Sequence, residues 1–249
     1  MKRATVFLIL LGLALGSAAV GYDKDRKGSG REKTRAQEND WTKSFDVNAQ
    51  DFVSTGRNRY FILEPGYRLV LKGKEEGKST VVTITVLDET KMIDGVSTRV
   101  VQEDETHQGR LVESTRDYFA MDSKTNDVYY FGEDVNEYKA GKLAGHEGSW
   151  LSGSDGAHYG MMMPGTPRTG FKHYQEVAPG VGMDRAEIVG VSEEFATPAG
   201  TFKDCVKVRE TNPLEPGDVE YKIYAPAVGV VKDGGLKLVE YGFVKEEQK

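Results

Sequence analysis

The chain has 249 residues, with 33 Lys and Arg against 39 Asp and Glu, a formal charge of -6 and one cysteine. That acidic balance excludes a surface built to release counterions from phosphates, so no nucleic-acid partner is expected. A single cysteine excludes an intramolecular disulfide, so stability must come from a core, and about 210 ordered residues are enough for one large or two small domains.

Lys2 and Arg3 precede an apolar run at 6–15, and the small residues Gly16, Ser17, Ala18 and Ala19 follow it. This is the layout of a secretory signal peptide, and the run is short for crossing a bilayer of about 30 Å as a helix. Residues 1–21 are read as a leader, cleaved after Ala18, Ala19 or Gly21, which leaves no stable membrane anchor. Export without disulfide staples fits a bacterial envelope, periplasmic or extracellular. Residues 22–40 carry six cations, five acids and almost nothing apolar. They are read as a disordered charged tether, because they bury too little surface to offset their ordering entropy.

From Tyr60 the hydrophobic period is two. Segments 68–71, 80–87 and 98–102 alternate apolar with polar residues, with turns at 73–77, 94–95 and near Gly109. Residues 110–121 place Leu111, Glu113, Thr115, Asp117 and Phe119 on one face and Arg110, Val112, Ser114, Arg116 and Tyr118 on the other. A turn at 122–126 returns the chain as a strand at 128–131. With Lys124 at its centre, Phe119 falls opposite Tyr129, and Tyr118 opposite Tyr130. Residues 133–182 hold many glycines, Pro164, Pro167 and Pro179, and little alternation. They read as a long irregular excursion over the sheet, with at most one short helix. Alternation resumes at 186–195, 204–211, 219–224, 228–232 and 236–244. The expected fold is mainly β: one domain at 41–249, a curved antiparallel meander, half-barrel-like, with little helix.

Candidate chemistry is sparse. Asp122 to Asn126, with Glu133 beyond, resembles a calcium loop in spacing, but Lys124 stands where an acidic ligand belongs and Asp127 where the loop needs glycine. A plain hairpin explains it. His107, His146, His158 and His173 show no paired metal-ligand spacing, so no metal is expected, and no cofactor motif is present. Glu113 and Asp117 share a strand face, and Glu133 follows the returning strand; two carboxylates about 5–9 Å apart would suit glycoside hydrolysis. Charges on the wet side of a half-exposed sheet give the simpler explanation. Cys205 reads as a small buried core residue. Tyr129, Tyr130, Phe131 and Trp150, with Met161–Met163, form the densest aromatic region. It is core by default; the sharper reading is a ligand groove formed by Tyr129, Phe131, Trp150, Met161 and Met163.

Six segments carry a family resemblance: GRLVESTRDYFAMD (109–122), VYYFGEDV (128–135), GSWLSGSDGA (148–157), Met163-Pro164 with Gln175-Glu176, TPAGTFKDCVKVRET (197–211) and KIYAPAVGVVK (222–232). Together they resemble a group of uncharacterised exported bacterial proteins, and the last two also resemble TapB-like proteins. The resemblance implies a curved antiparallel sheet akin to the half-barrels of the lipoprotein carriers LolA and LolB, with no established activity and no functional residue to carry over. Three functions are compatible with these residues. One is non-catalytic binding of a hydrophobic or glycan ligand, or of an envelope partner, in the sheet's concavity. The others are a hydrolase of envelope polymers using Glu113, Asp117 or Glu133, and a purely structural, secretion-associated protein.

Overall fold

Alternation decides which side of each strand turns inward, and in this chain it holds over long distances. The computed structural model describes residues 40–244; the expected leader, and the expected tether apart from Asp40, lie outside the described residues. Three short and five long strands come first: β1 (Phe52–Val53), β2 (Gly56–Asn58), β3 (Phe61–Leu63), β4 (Tyr67–Glu75), β5 (Lys78–Ile93), β6 (Val96–His107), β7 (Arg110–Asp122) and β8 (Val128–Lys139). Then follow β9 (Lys142–Gly145), β10 (Trp150–Leu151), β11 (His158–Met163), β12 (Lys172–Tyr174) and β13 (Glu176–Val177). The last are β14 (Arg185–Thr197), β15 (Gly200–Thr211), β16 (Val219–Ala225), β17 (Gly229–Asp233) and β18 (Leu236–Phe243). One 3-10 turn, Ala49–Asp51, is the only helix among the described residues.

The fold is mainly β, as the periodicity predicts, and its sheet is nearly closed. Strand order is β12-β14-β15-β16-β17-β18-β4-β5-β6-β7-β8-β11-β13, with antiparallel neighbours throughout. The final strand β18 lies against β4, the first long strand, through Leu238↔Leu71 and Tyr241↔Leu69. Only Gln175 separates β12 from β13; β12 pairs with β14 and β13 with β11. One short segment, 172–177, therefore bridges the two ends of the sheet. Gly160 lets it approach, because a Cβ there would collide with the Gln175 backbone carbonyl.

This closure corrects the reading of 133–182. The segment is not an excursion over the sheet and contains no helix; it supplies the end of β8 and all of β9 to β13. Its strands are two to six residues long, except for the extension of β8, and too short to show a period.

Inward residues are of two kinds. Leu69, Leu71, Val82, Ile84, Val101, Phe119, Val128, Val206, Val208, Leu236 and Leu238 are apolar and all in one buried cluster. Burial of each such side chain contributes about 1.5–3 kcal/mol. The β2–β3 hairpin pairs only with itself and enters this cluster through Tyr60, Ile62 and Leu63. Asn58 Nδ2 donates to Asn126 O at 2.8 Å and to Pro164 O at 3.1 Å, and Tyr60 Oη donates to Asp204 O at 3.0 Å. The other inward positions include acids that adjoin this cluster, Glu103 beside Ile84, Glu105 beside Val82 and Asp233 beside Leu236. Alternation points Arg68, Lys72, Asp104, Arg116, Lys207 and Arg209 outward, so these parts of the outer wall are charged.

A second core lies outside the wall. Tyr118, Ala120, Tyr129, Phe131 and Met161 form it with Ile93, Val96 and Val100, and Phe45, Val47 and Phe52 cover it. The Phe52 ring sits edge-on to Tyr129, Phe131 and Tyr159, at centroid distances of 5.5, 5.2 and 5.7 Å. The segment before β2 thus lies across the aromatic strip and keeps it dry.

Candidate functional site

The acidic half of the interior follows from strand parity. On β6, Val101, Glu103, Glu105 and His107 face inward; on β7, Glu113, Thr115, Asp117 and Phe119 do; on β8, Glu133 lies opposite Asp117. Glu75 ends β4, Glu210 lies on β15, Lys222 on β16 and Asp233 on β17, while Glu176 and Asp184 come from the closing segment and the stretch after it. Among the described residues, Glu75, Glu103, Glu105, Asp117, Glu133, Glu176, Asp184, Glu210 and Asp233 are all buried acids. Lys222 is the buried lysine among them. Its ammonium lies 3.1 Å from Glu210 and 3.3 Å from Asp233.

One lysine cannot neutralise so many carboxylates, and burial disfavours their charged forms. Burial pushes Asp117 up to about 7, although the Tyr130 hydroxyl donates to its Oδ1 at 2.7 Å and opposes the rise. Burial, then the neighbouring Asp117 and Glu176, raises Glu133 well above the usual carboxyl range. Burial likewise raises Glu103 and Asp184, Glu105 to about 8 and Glu75 to about 7. Lys222 is raised despite its burial, because Asp233 and Glu210 stabilise the ammonium. Burial thus favours the protonated form of Glu103, Glu105, Glu133 and Asp184 around one retained cation, Lys222.

Several of their oxygens are unmatched. Asp117 Oδ2, Glu133 Oε2, both Glu176 oxygens and Asp184 Oδ1 are buried without a hydrogen-bond partner. Gln175 Nε2 donates to Glu210 Oε1 at 2.9 Å. Tyr130, Glu133, Met162, Gln175, Glu176, Asp184, Glu210 and Lys222 line a cavity of about 20 Å³, which holds one water-sized occupant. A second chamber, of about 30 Å³, lies at the apolar end between Phe61 and Ile62 of the hairpin and Tyr67, Leu69, Ile84, Val86, Val101, Tyr224 and Val230 of the wall.

The residues expected to bind a ligand are not on one surface. Tyr129, Phe131 and Met161 belong to the outer core, whereas Trp150 and Met163 belong to the inner one. Met161–Met163 is no lid but part of β11, and Trp150 pairs through β10 with Glu133 of β8. Register explains part of the difference: Phe119 lies opposite Tyr130 and Ala120 opposite Tyr129, one residue from the expectation. Gly132 then adopts φ +130 beside the Trp150 carbonyl, where the ladder shifts between Asp117 and Phe119.

The acids Glu113, Asp117 and Glu133 do share one face, but that face is the barrel interior and not a wet surface. Asp117 and Glu133 are fully buried, and Glu113 lies toward the acidic end, opposite Glu105 and Glu137. The loop at 122–127 is a hairpin turn: Lys124 N donates to Asp122 Oδ1, Lys124 Nζ pairs with Asp51 at 2.6 Å, and Asn126 takes φ +60. Cys205 is buried in the inner core. Sequence reasoning missed Glu75, Glu103, Glu105, Glu176, Asp184, Glu210, Lys222 and Asp233. The inward alternation Glu103-x-Glu105-x-His107 was the available signal.

No protein-family model, curated protein or solved structure matches this chain.

Proposed function

We propose that this protein is a non-catalytic binding protein exported to the bacterial envelope, and that it receives a hydrophobic guest inside the barrel. One observation carries the reading: an apolar chamber lies under a hairpin that belongs to no wall strand. A hairpin held by a few side-chain and backbone hydrogen bonds can move without breaking the wall ladder. The chamber's own volume is small, so a guest larger than a water must displace Phe61 and Ile62. Its apolar lining favours a hydrophobic guest over a glycan, whose hydroxyl groups would lose their hydrogen bonds there. The resemblance to lipoprotein carriers points the same way but is only a fold analogy.

Titration with N-phenyl-1-naphthylamine tests this. Saturable fluorescence enhancement by the folded protein is expected, with tighter binding after Asn58→Ala, which frees the hairpin from Asn126 and Pro164. Absence of saturable binding by both proteins contradicts the proposal and leaves a filled, structural barrel.

The hydrolase reading stands second, favoured by the facing Asp117 and Glu133 and by their raised pKa values. The cavity beside Glu133 admits a water but no polymer strand. Hydrolysis of a purified envelope polymer, abolished by Asp117→Asn, would reverse the ranking.

A further inference from the structure

At the rim of the acidic end, two strands finish with ligating side chains on the same inner face. β4 ends in Glu75, and β6 ends in Glu105-Thr106-His107. Between them β5 contributes Thr80, buried and paired with both Gly73 and His107. One ligand atom each from Glu75, Glu105 and His107 lie within 4.8 Å of one another. His107 Nε2 approaches Glu105 Oε1 to 2.5 Å, yet neither this nitrogen nor Glu75 Oε2 makes a well-formed hydrogen bond. Glu75 is 8 % exposed, so its carboxyl group, with Oε2 unpartnered, is held in the protein with one oxygen beside the other two groups. A buried carboxylate oxygen with no donor is costly unless a cation or a donor meets it.

We propose that Glu75, Glu105 and His107 bind one divalent cation of the zinc class. One imidazole nitrogen and two carboxylate oxygens suit a borderline ion; calcium and magnesium favour all-oxygen shells with six or more ligands. Zinc bonds of about 2.0–2.2 Å place neighbouring ligand atoms roughly 3.3 Å apart in a tetrahedron. The trio reaches this by side-chain rotation, with His107 and Glu105 separating slightly and Glu75 drawing in. A water takes the fourth position. His107 is partly exposed, which provides an entry path from the rim. Glu113, opposite Glu105, adds negative charge, whereas Lys78, opposite Glu75, opposes the cation. The site is at the far end from the hairpin and does not depend on a hydrophobic guest.

Isothermal titration of the metal-stripped, full-length protein with zinc chloride tests the assignment. One equivalent of zinc should bind, with at least ten-fold weaker affinity after His107→Ala and after Glu75→Gln. Glu133→Gln, deeper in the barrel, should leave the affinity unchanged. Cobalt(II) added to the unaltered protein should give the intense visible bands of a tetrahedral site, a readout that requires no variant to fold. Failure to bind one equivalent, equal affinity in all variants, a cobalt spectrum of the hydrated ion, or equal affinity for magnesium or calcium each overturns the proposal.

Discussion

Lys222 is the residue on which the electrostatics of the interior turn. Its side chain and those of Glu210 and Asp233 are each under 5 % exposed. Removing one partner of a buried ion pair typically costs about 3–5 kcal/mol, because the remaining charge has no water. The acids of this barrel have a second recourse, which is to take up a proton. Lys222→Met is therefore expected to destabilise the protein strongly at pH 8.5 and less at pH 5.5, where Asp233, raised by burial, takes up a proton. Urea denaturation at the two pH values checks this. Equal losses would mean that the lysine acts through packing alone.

Among the elements, the β7–β8 hairpin shows what sequence can and cannot disclose. Alternation placed Glu113, Thr115, Asp117 and Phe119 on one face, and that face is single in the structure. It could not say which face is inside, because a row of acids reads as a solvated surface until the sheet curls around it. Register was missed by one residue because the turn spans four residues, 123–126, and so has no central residue. The closing segment was illegible for a different reason: β12 and β13 have three and two residues, and their partners lie on strands far away in sequence. Phe131 illustrates the result. It faces the outer core, stacked on Tyr159 at a centroid distance of 4.7 Å. Phe131→Ala is expected to cost about 3–5 kcal/mol, as for a core aromatic, without altering uptake of the naphthylamine probe. Chemical denaturation and the probe titration, done on the same variant, test both halves of that expectation.

For the whole molecule, the raised carboxyl values make stability depend on pH in an unusual direction. In the metal-free protein, burial raises Glu75, Glu105 and Asp117 to about 7, 8 and 7, against about 4 in an unfolded chain. The folded state thus holds protons that the unfolded state releases. Their contribution is complete below about pH 4 and is lost as the pH rises through 7 and 8. His173 works oppositely, because burial lowers it to about 3 and its neutral form is penalised only below about pH 6.5. Between pH 6.5 and 8.5 the carboxyls act with little interference. Stability should fall across that window by about 3–4 kcal/mol, and the melting temperature by roughly 10 °C.

The central claim is that a nearly closed barrel buries a set of neutral carboxyl groups. A ¹³C NMR titration of the Asp and Glu side-chain carbons reads their protonation directly. For the metal-free protein, several carboxyls are expected still protonated at pH 6.5, with Asp117 titrating near 7 and Glu105 near 8, and with the Asp117 transition lost in Asp117→Asn. Titration of every carboxyl below pH 5 in the folded protein would contradict it, for the acids would then face water and the barrel would be open.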